Sequence, residues 1–361
     1  MRIRVVAPLA ILTAALFSTV IAISVSESGP VKDSLETSIQ NCADLGVAKE
    51  TECFSEIVTK TYEKEGLESA SQVMFTASQI PGYAASRFAA RCHDVAHALG
   101  KTIDFKKEKN LESRGPSVCR SGFFHGIHFQ RFAEYKTPSA LAISAPFVCV
   151  GSEEVIRVGR GGVGNGCRHA LGHEFILRNL DPLTSARACS VPAIKTHNPE
   201  SAVEDCLHGV YMEVFLTFEA TENYADPEPI CEEASKVSKV SAAACLGEAG
   251  LSLFRYGLDN TPQKAFDICE NLSNGDQYLA ESCAGGLGRS AAAFLANDET
   301  SIKNYCKNSD NLYEACLVDA AAAVMEAEQD YKWMNICYGL KREKSCLLKM
   351  EDIKNLVETR E

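Results

Sequence analysis

Positive charge is scarce in this chain: 36 Lys and Arg face 48 Asp and Glu, a net charge of −12 over 361 residues. That balance argues against nucleic acid as a partner, because phosphate binding needs a basic surface. The acidic residues are scattered rather than blocked, so they read as a solubilising face with some attraction for cations. Familiar catalytic signatures are missing as well. No GxSxG elbow marks a serine hydrolase, and no CxxCH marks covalent haem. His169 and His173 have the spacing of a zincin helix, but Ala170 stands where the zincin base would be Glu. The first cysteine is Cys42, far from the N-terminal apolar run, so a lipid anchor there has no support.

That run is the first positive feature. Val5 to Val25 is uncharged and apolar behind Arg2 and Arg4, which reads as a signal peptide or an N-terminal signal anchor within residues 1–26, followed by a short linker at 27–34. Either reading puts the rest outside the cytoplasm: secreted, periplasmic, or tethered to a membrane through residues 5–25. No second spanning segment is visible. The composition, 46% hydrophobic and 23% charged, is that of a globular chain with a large core rather than of a disordered one.

Sixteen cysteines in an exported chain point to a disulfide framework. Their alternating spacings predict local bridges: Cys42 to Cys53, Cys149 to Cys167, Cys189 to Cys206, Cys231 to Cys245, Cys269 to Cys283, Cys306 to Cys316 and Cys337 to Cys346. Cys92 and Cys119 are left either to pair with each other or to stay as thiols beside the histidines.

The second cysteines fall at Cys167, Cys206, Cys245 and Cys283, at intervals of 39, 39 and 38 residues, and each opens a similar phrase: CRHALGHEF, CLHGVYMEVF, CLGEAGLSLF and CAGGLGRSAAAF, then a fading CLVDAAAAVM from Cys316. This is an internal repeat. Thr137-Pro138, Asp181-Pro182, Asp226-Pro227, Thr261-Pro262 and Asp298-Glu299 supply helix starts before the first cysteine of each pair. The second element begins near the second cysteine and carries apolar residues at helical spacing, as in Cys206, Val210, Val214 and Phe218. The expected fold is therefore all-α, built of αα-hairpins each stapled by a disulfide. In architecture it resembles a tetratricopeptide-like solenoid, although that consensus is absent. The expected regions are 35–135 with N-terminal histidine-bearing hairpins, 136–222 with central histidine-bearing repeats, and 223–361 with repeats that lack the motif histidines.

Only the early copies carry histidine. Later copies keep the cysteine and the small and apolar positions, so the hairpin folds without imidazole and the histidines call for a functional explanation. His93 and His97 are four apart, His125 and His128 three, His169 and His173 four; on helices each pair shares a face and can grip a metal ion. The fourth copy is His208 with Met212. A thioether in the place of a second imidazole favours copper, with zinc or iron as the other candidates. Stacked side by side, the four pairs would line one strip holding one to three ions. Glu174 and Glu213 stand at equivalent positions beside this set and read as carboxylates that orient ligands or act as a base. Gly100, Gly126, Gly172 and Gly209 flank the histidines, either for close helix packing or for room above a metal.

The run Glu154 to Val158 followed by GRGGVG imitates a dinucleotide fingerprint, yet no alternating strand and helix pattern supports it. A glycine-rich loop that walls the histidines or offers amides to an anion, or one that is simply a long hairpin loop, fits better. The expectation is an extracytoplasmic metal-binding protein, foremost a metal-dependent oxidoreductase. The alternatives are metal capture, storage or delivery without catalysis, and a disulfide-stabilised scaffold for a protein partner.

Overall fold

The computed structural model describes residues 30–348 apart from 81–82, 105–118, 120–121, 150–154, 159–161, 179–180, 190–198, 221–225, 296–297, 329–331 and 345. The apolar run at 5–25, with the leader reading placed on it, lies outside the described residues. The elements in chain order are α1 (Pro30–Ala43), α2 (Val47–Glu65), α3 (Leu67–Gln79), α4 (Tyr83–Thr102), α5 (Gly122–Phe132), α6 (Pro138–Val148), β1 (Val155–Val158), β2 (Gly162–Asn165), α7 (Gly166–Leu177), α8 (Pro182–Cys189), α9 (Pro199–Ala220), α10 (Pro227–Ser235), α11 (Lys239–Asp259), α12 (Pro262–Ser273), α13 (Gln277–Phe294), α14 (Glu299–Cys306), α15 (Tyr313–Glu328) and α16 (Lys332–Cys337).

Capping chemistry sets the starts. Helices α6, α8, α10, α12 and α14 each begin one residue after the Thr or Asp expected to cap them. The Thr137 hydroxyl accepts from the Ala140 amide, Asp181 from Thr184, Asp226 from Glu228 and Asp298 from Ser301. These bonds satisfy amides that the first turn leaves open. The partner helices α9, α11 and α13 begin several residues before their cysteine rather than at it. Ser238 and Asp276 explain two of these: Ser238 accepts from the Ser241 amide, and Asp276 accepts from Tyr278 and Leu279. Polar caps, not cysteines, decide where the helices open.

All seven expected local disulfides form, and Cys92 pairs with Cys119 as the eighth. No free cysteine remains among the described residues. Each bridge closes a loop of 9 to 27 residues between neighbouring segments. Such closures reduce the entropy of the unfolded chain by roughly 3 kcal/mol each when unstrained.

The helices that follow the bridges pack in a row: α4 on α5, α5 on α7, α7 on α9, α9 on α11, α11 on α13 and α13 on α15. Helix α13 also packs against α4, so the row curves back on itself. Glycines set its spacing. A Cβ on Gly172 would run into the Cys206 carbonyl oxygen, and one on Gly209 into the His169 carbonyl oxygen. Gly100 and Gly126 meet between α4 and α5 in the same way. Close backbone packing therefore accounts for these glycines. The buried apolar residues form two clusters, Ile39 to Ile127 and Phe129 to Cys346, and the boundary between them falls within α5.

Among the described residues the regular structure is helical except for one hairpin. β1 and β2 pair antiparallel, Val155 with Asn165 and Val158 with Gly162, and α7 follows at once. A dinucleotide fingerprint needs a parallel βαβ unit. Here the end of the glycine-rich run, Gly162 to Gly164, lies in the second strand of an antiparallel pair, which disposes of the nucleotide likeness. No described helix is long and apolar enough to cross a membrane.

Candidate metal centre

Three helices converge where the two apolar clusters meet. α4 contributes His93 and His97, one turn apart on the face turned to α5; α5 contributes His125; α7 contributes His173. One ring nitrogen from each of the four can be chosen so that all lie within 4.8 Å of one another. Their ring centroids are 4.4 to 6.1 Å apart. All four are buried, His173 completely and His125 to 1% exposure. Tetrahedral bonds of about 2.0–2.1 Å place donor atoms roughly 3.3 Å apart, so the widest separation in the quartet has to close by up to about 1.5 Å on an ion.

Hydrogen bonds orient the rings. His93 Nδ1 donates to the Cys119 carbonyl at 3.0 Å, and His173 Nδ1 donates to Glu213 at 2.8 Å. In both rings the proton sits on Nδ1 and Nε2 keeps the lone pair, the arrangement that second-shell acceptors impose on metal-bound imidazoles. His97 Nε2 and His125 Nδ1 are 3.1 Å apart and share a proton between them. The Nε2 atoms of His125 and His173 are buried with no hydrogen-bond partner. An unsatisfied buried polar atom costs about 1–3 kcal/mol, a cost that an ion would remove.

The helices are locked around this set by side chains that cap each other's ends. Gln130 on α5 donates to the carbonyls of Gly100, Lys101 and Ile103 at the end of α4. Arg178, just past α7, donates to the carbonyls of Phe132 and Tyr135 at the end of α5 and pairs with Glu174 at 2.8 Å. Phe129 packs edge-on against His97 at 5.2 Å and His173 at 6.2 Å, with the Lys101 ammonium 4.6 Å above its other side. An apolar ring thus closes one side of the quartet against water.

The electrostatics follow from burial. Desolvation, followed by the charges of neighbouring imidazoles, holds His97, His125 and His169 well below the ordinary imidazole value of 6.5. Burial, with help from Arg131, pushes His128 down to about 3. Burial raises the Glu174 carboxyl despite its pairing with Arg178. Burial also pushes Glu213 upward, but the His173 bond outweighs it and keeps the carboxyl below its usual range. The bond to His173 therefore favours the anionic form of Glu213.

No known protein family, curated protein or solved structure matches this chain. The geometry alone assigns the site: a buried four-histidine group able to hold a transition metal.

The remaining sequence candidates take different places. His169 stacks on His125 at 4.6 Å and lies 4.8 Å from His173, beside the quartet but outside it. His128 faces Phe132, 6.3 Å away, one turn beyond His125. His208 is bound through Nδ1 to Glu248 at 2.6 Å, and Arg289 links Glu248 to Asp319. Met212 is half-buried on α9. Four of the histidines thus gather into one compact group. Sequence reasoning missed Glu248, Arg289, Gln130 and Arg178. Only Glu248 carried a signal, as a lone acid among the small residues of CLGEAGLSLF; the capping roles depend on partners some 30 to 46 residues away.

Proposed function

We propose that this protein is an extracytoplasmic copper protein that performs one-electron oxidoreductase chemistry at His93, His97, His125 and His173. Its eight disulfides fit an oxidising compartment outside the cytoplasm. The observation that carries the reading is the quartet itself: four buried imidazoles, two with their tautomer fixed by an acceptor, converging within 4.8 Å. A resident ion suits this better than a store, because the ligands form one enclosed group.

The choice of copper rests on donor type and charge. An all-imidazole set suits copper, zinc and iron alike and is poor for hard cations. Glu213 is hydrogen-bonded to a ligand, His173, and Glu174 is committed to Arg178. A monovalent ion leaves the quartet and Glu213 neutral together. A divalent ion leaves an uncompensated charge in a low-dielectric interior, which costs several kcal/mol. Monovalent copper meets that condition and zinc does not. Glu213 acts as a positioning residue through His173. Since the ligands are enclosed, electrons would reach and leave the metal without a reactant touching it. The helices from α11 onward pack without histidines in the row, so the metal serves chemistry rather than the hairpin fold.

The test is metal content by mass spectrometry after expression into an oxidising compartment, beside a His125→Ala/His173→Ala variant checked for helicity by circular dichroism. One copper per chain that is lost in the helical variant supports the reading. Zinc in its place overturns the copper assignment, and a chain left metal-free after anaerobic Cu(I) reconstitution overturns the site.

A further inference from the structure

His169 lies buried beside the quartet with no side-chain hydrogen bond to either ring nitrogen, and the Asp205 backbone is the polar group its ring turns to. His169 is 1% exposed, so bulk solvent does not reach it. A neutral imidazole has one donor and one acceptor to place; with its N–H turned to the Asp205 backbone, the other nitrogen is left unmet in the interior, which is costly. The residue nonetheless sits one turn before His173 on α7, with its ring nearly parallel to that of His125 and 4.6 Å from it. The other stray histidines have different surroundings: His208 is held by Glu248, and His128 faces Phe132.

Copper gives this position a use. Cu(I) is content with four tetrahedral nitrogen donors, whereas Cu(II) prefers tetragonal sets and readily takes a fifth ligand. We infer that His169 is the fifth ligand of the oxidised metal, drawn in from beside the quartet when Cu(I) gives one electron to an outer-sphere acceptor and released when Cu(II) is reduced. No proton or bond other than the Cu–N contact changes hands. The inference rests on the copper reading above. It makes His169 the residue that sets the balance between the two oxidation states, because only Cu(II) gains from it.

The experiment is a comparison of Cu(I) and Cu(II) affinities in the whole chain and in His169→Phe, which keeps an aromatic ring against His125. Cu(I) is titrated anaerobically against a chromophoric chelator, and ferricyanide serves as the one-electron acceptor for the Cu(II) form. The expected result is a Cu(I) affinity within about threefold of the original and a Cu(II) affinity about a hundredfold weaker. By thermodynamic linkage the reduction potential then rises by about 120 mV, at 59 mV per tenfold for one electron. X-ray absorption on the unsubstituted protein needs no variant to fold. It should count four imidazoles around Cu(I) and five around Cu(II). Equal imidazole counts, or equal effects of the substitution on both states, overturn the role of His169 alone. A chain that binds no copper overturns the site reading, and this inference with it.

Discussion

At the scale of single residues, Glu213 and the buried imidazoles carry the site. Glu213→Gln keeps the shape of the side chain but replaces an anion with a neutral amide next to His173. Metal affinity should fall about 10- to 100-fold with helicity unchanged, read by chelator competition; an unaltered affinity would remove Glu213 from the site. Protons act on the same group. His97, His125, His128 and His169 stay neutral in the fold well below 6.5, while the unfolded chain protonates near that value. Below about pH 6.5 the unfolded state therefore binds more protons, and stability present above that pH is lost as pH falls toward the folded values. His128 alone, moved from 6.5 to about 3, is worth about 5 kcal/mol across that window. The thermal midpoint of metal-free protein should drop steeply between pH 6.5 and 4, and His128→Phe should flatten the drop. A midpoint independent of pH would contradict the burial of these rings.

At the scale of elements, the positions that matter most have no side chain. Gly209 faces the His169 carbonyl across the α7–α9 contact, and the obstacle to a Cβ there is backbone, which has no rotamer to move. Gly209→Ala should cost about 1–3 kcal/mol by overpacking and weaken metal binding as well, because α7 carries His173. Denaturant unfolding with and without copper separates the two effects. A variant as stable as the parent would mean that the helices can slide apart freely. The helix starts were legible because capping is local: Asp226-Pro227 or Asp298-Glu299 identifies itself within a few residues. The early starts of α11 and α13 are set by Ser238 and Asp276, local caps that stand ahead of the repeat phrase at the cysteine.

At the scale of the molecule, the site occupies one part of a larger helical row. Helices α4, α5 and α7 should loosen when copper is removed, whereas α13 and α15 rely on glycine and alanine packing and on their own disulfides. Hydrogen exchange after chelation should rise in the first group and stay level in the second. Uniform exposure along the chain would instead mean that the metal holds the entire fold. Reductant should instead loosen both groups, since the disulfides run through both.

The sequence by itself determined the helical hairpins, the caps of the helices that carry each first cysteine and seven of the eight disulfide pairs, because those depend on residues near one another and on a spacing repeated along the chain. It also isolated the histidines, since later copies of the phrase do without them. Only the tertiary structure decided which histidines meet. His93, His97 and His125 come from two helices stapled by Cys92–Cys119, but His173 arrives from α7, and its Glu213 from α9. Helix periodicity puts His173 and His169 on one face equally well. The glycine contacts and the interlocking caps between helices set the relative depth of those faces, and that depth places His173 inside the quartet and His169 beside it.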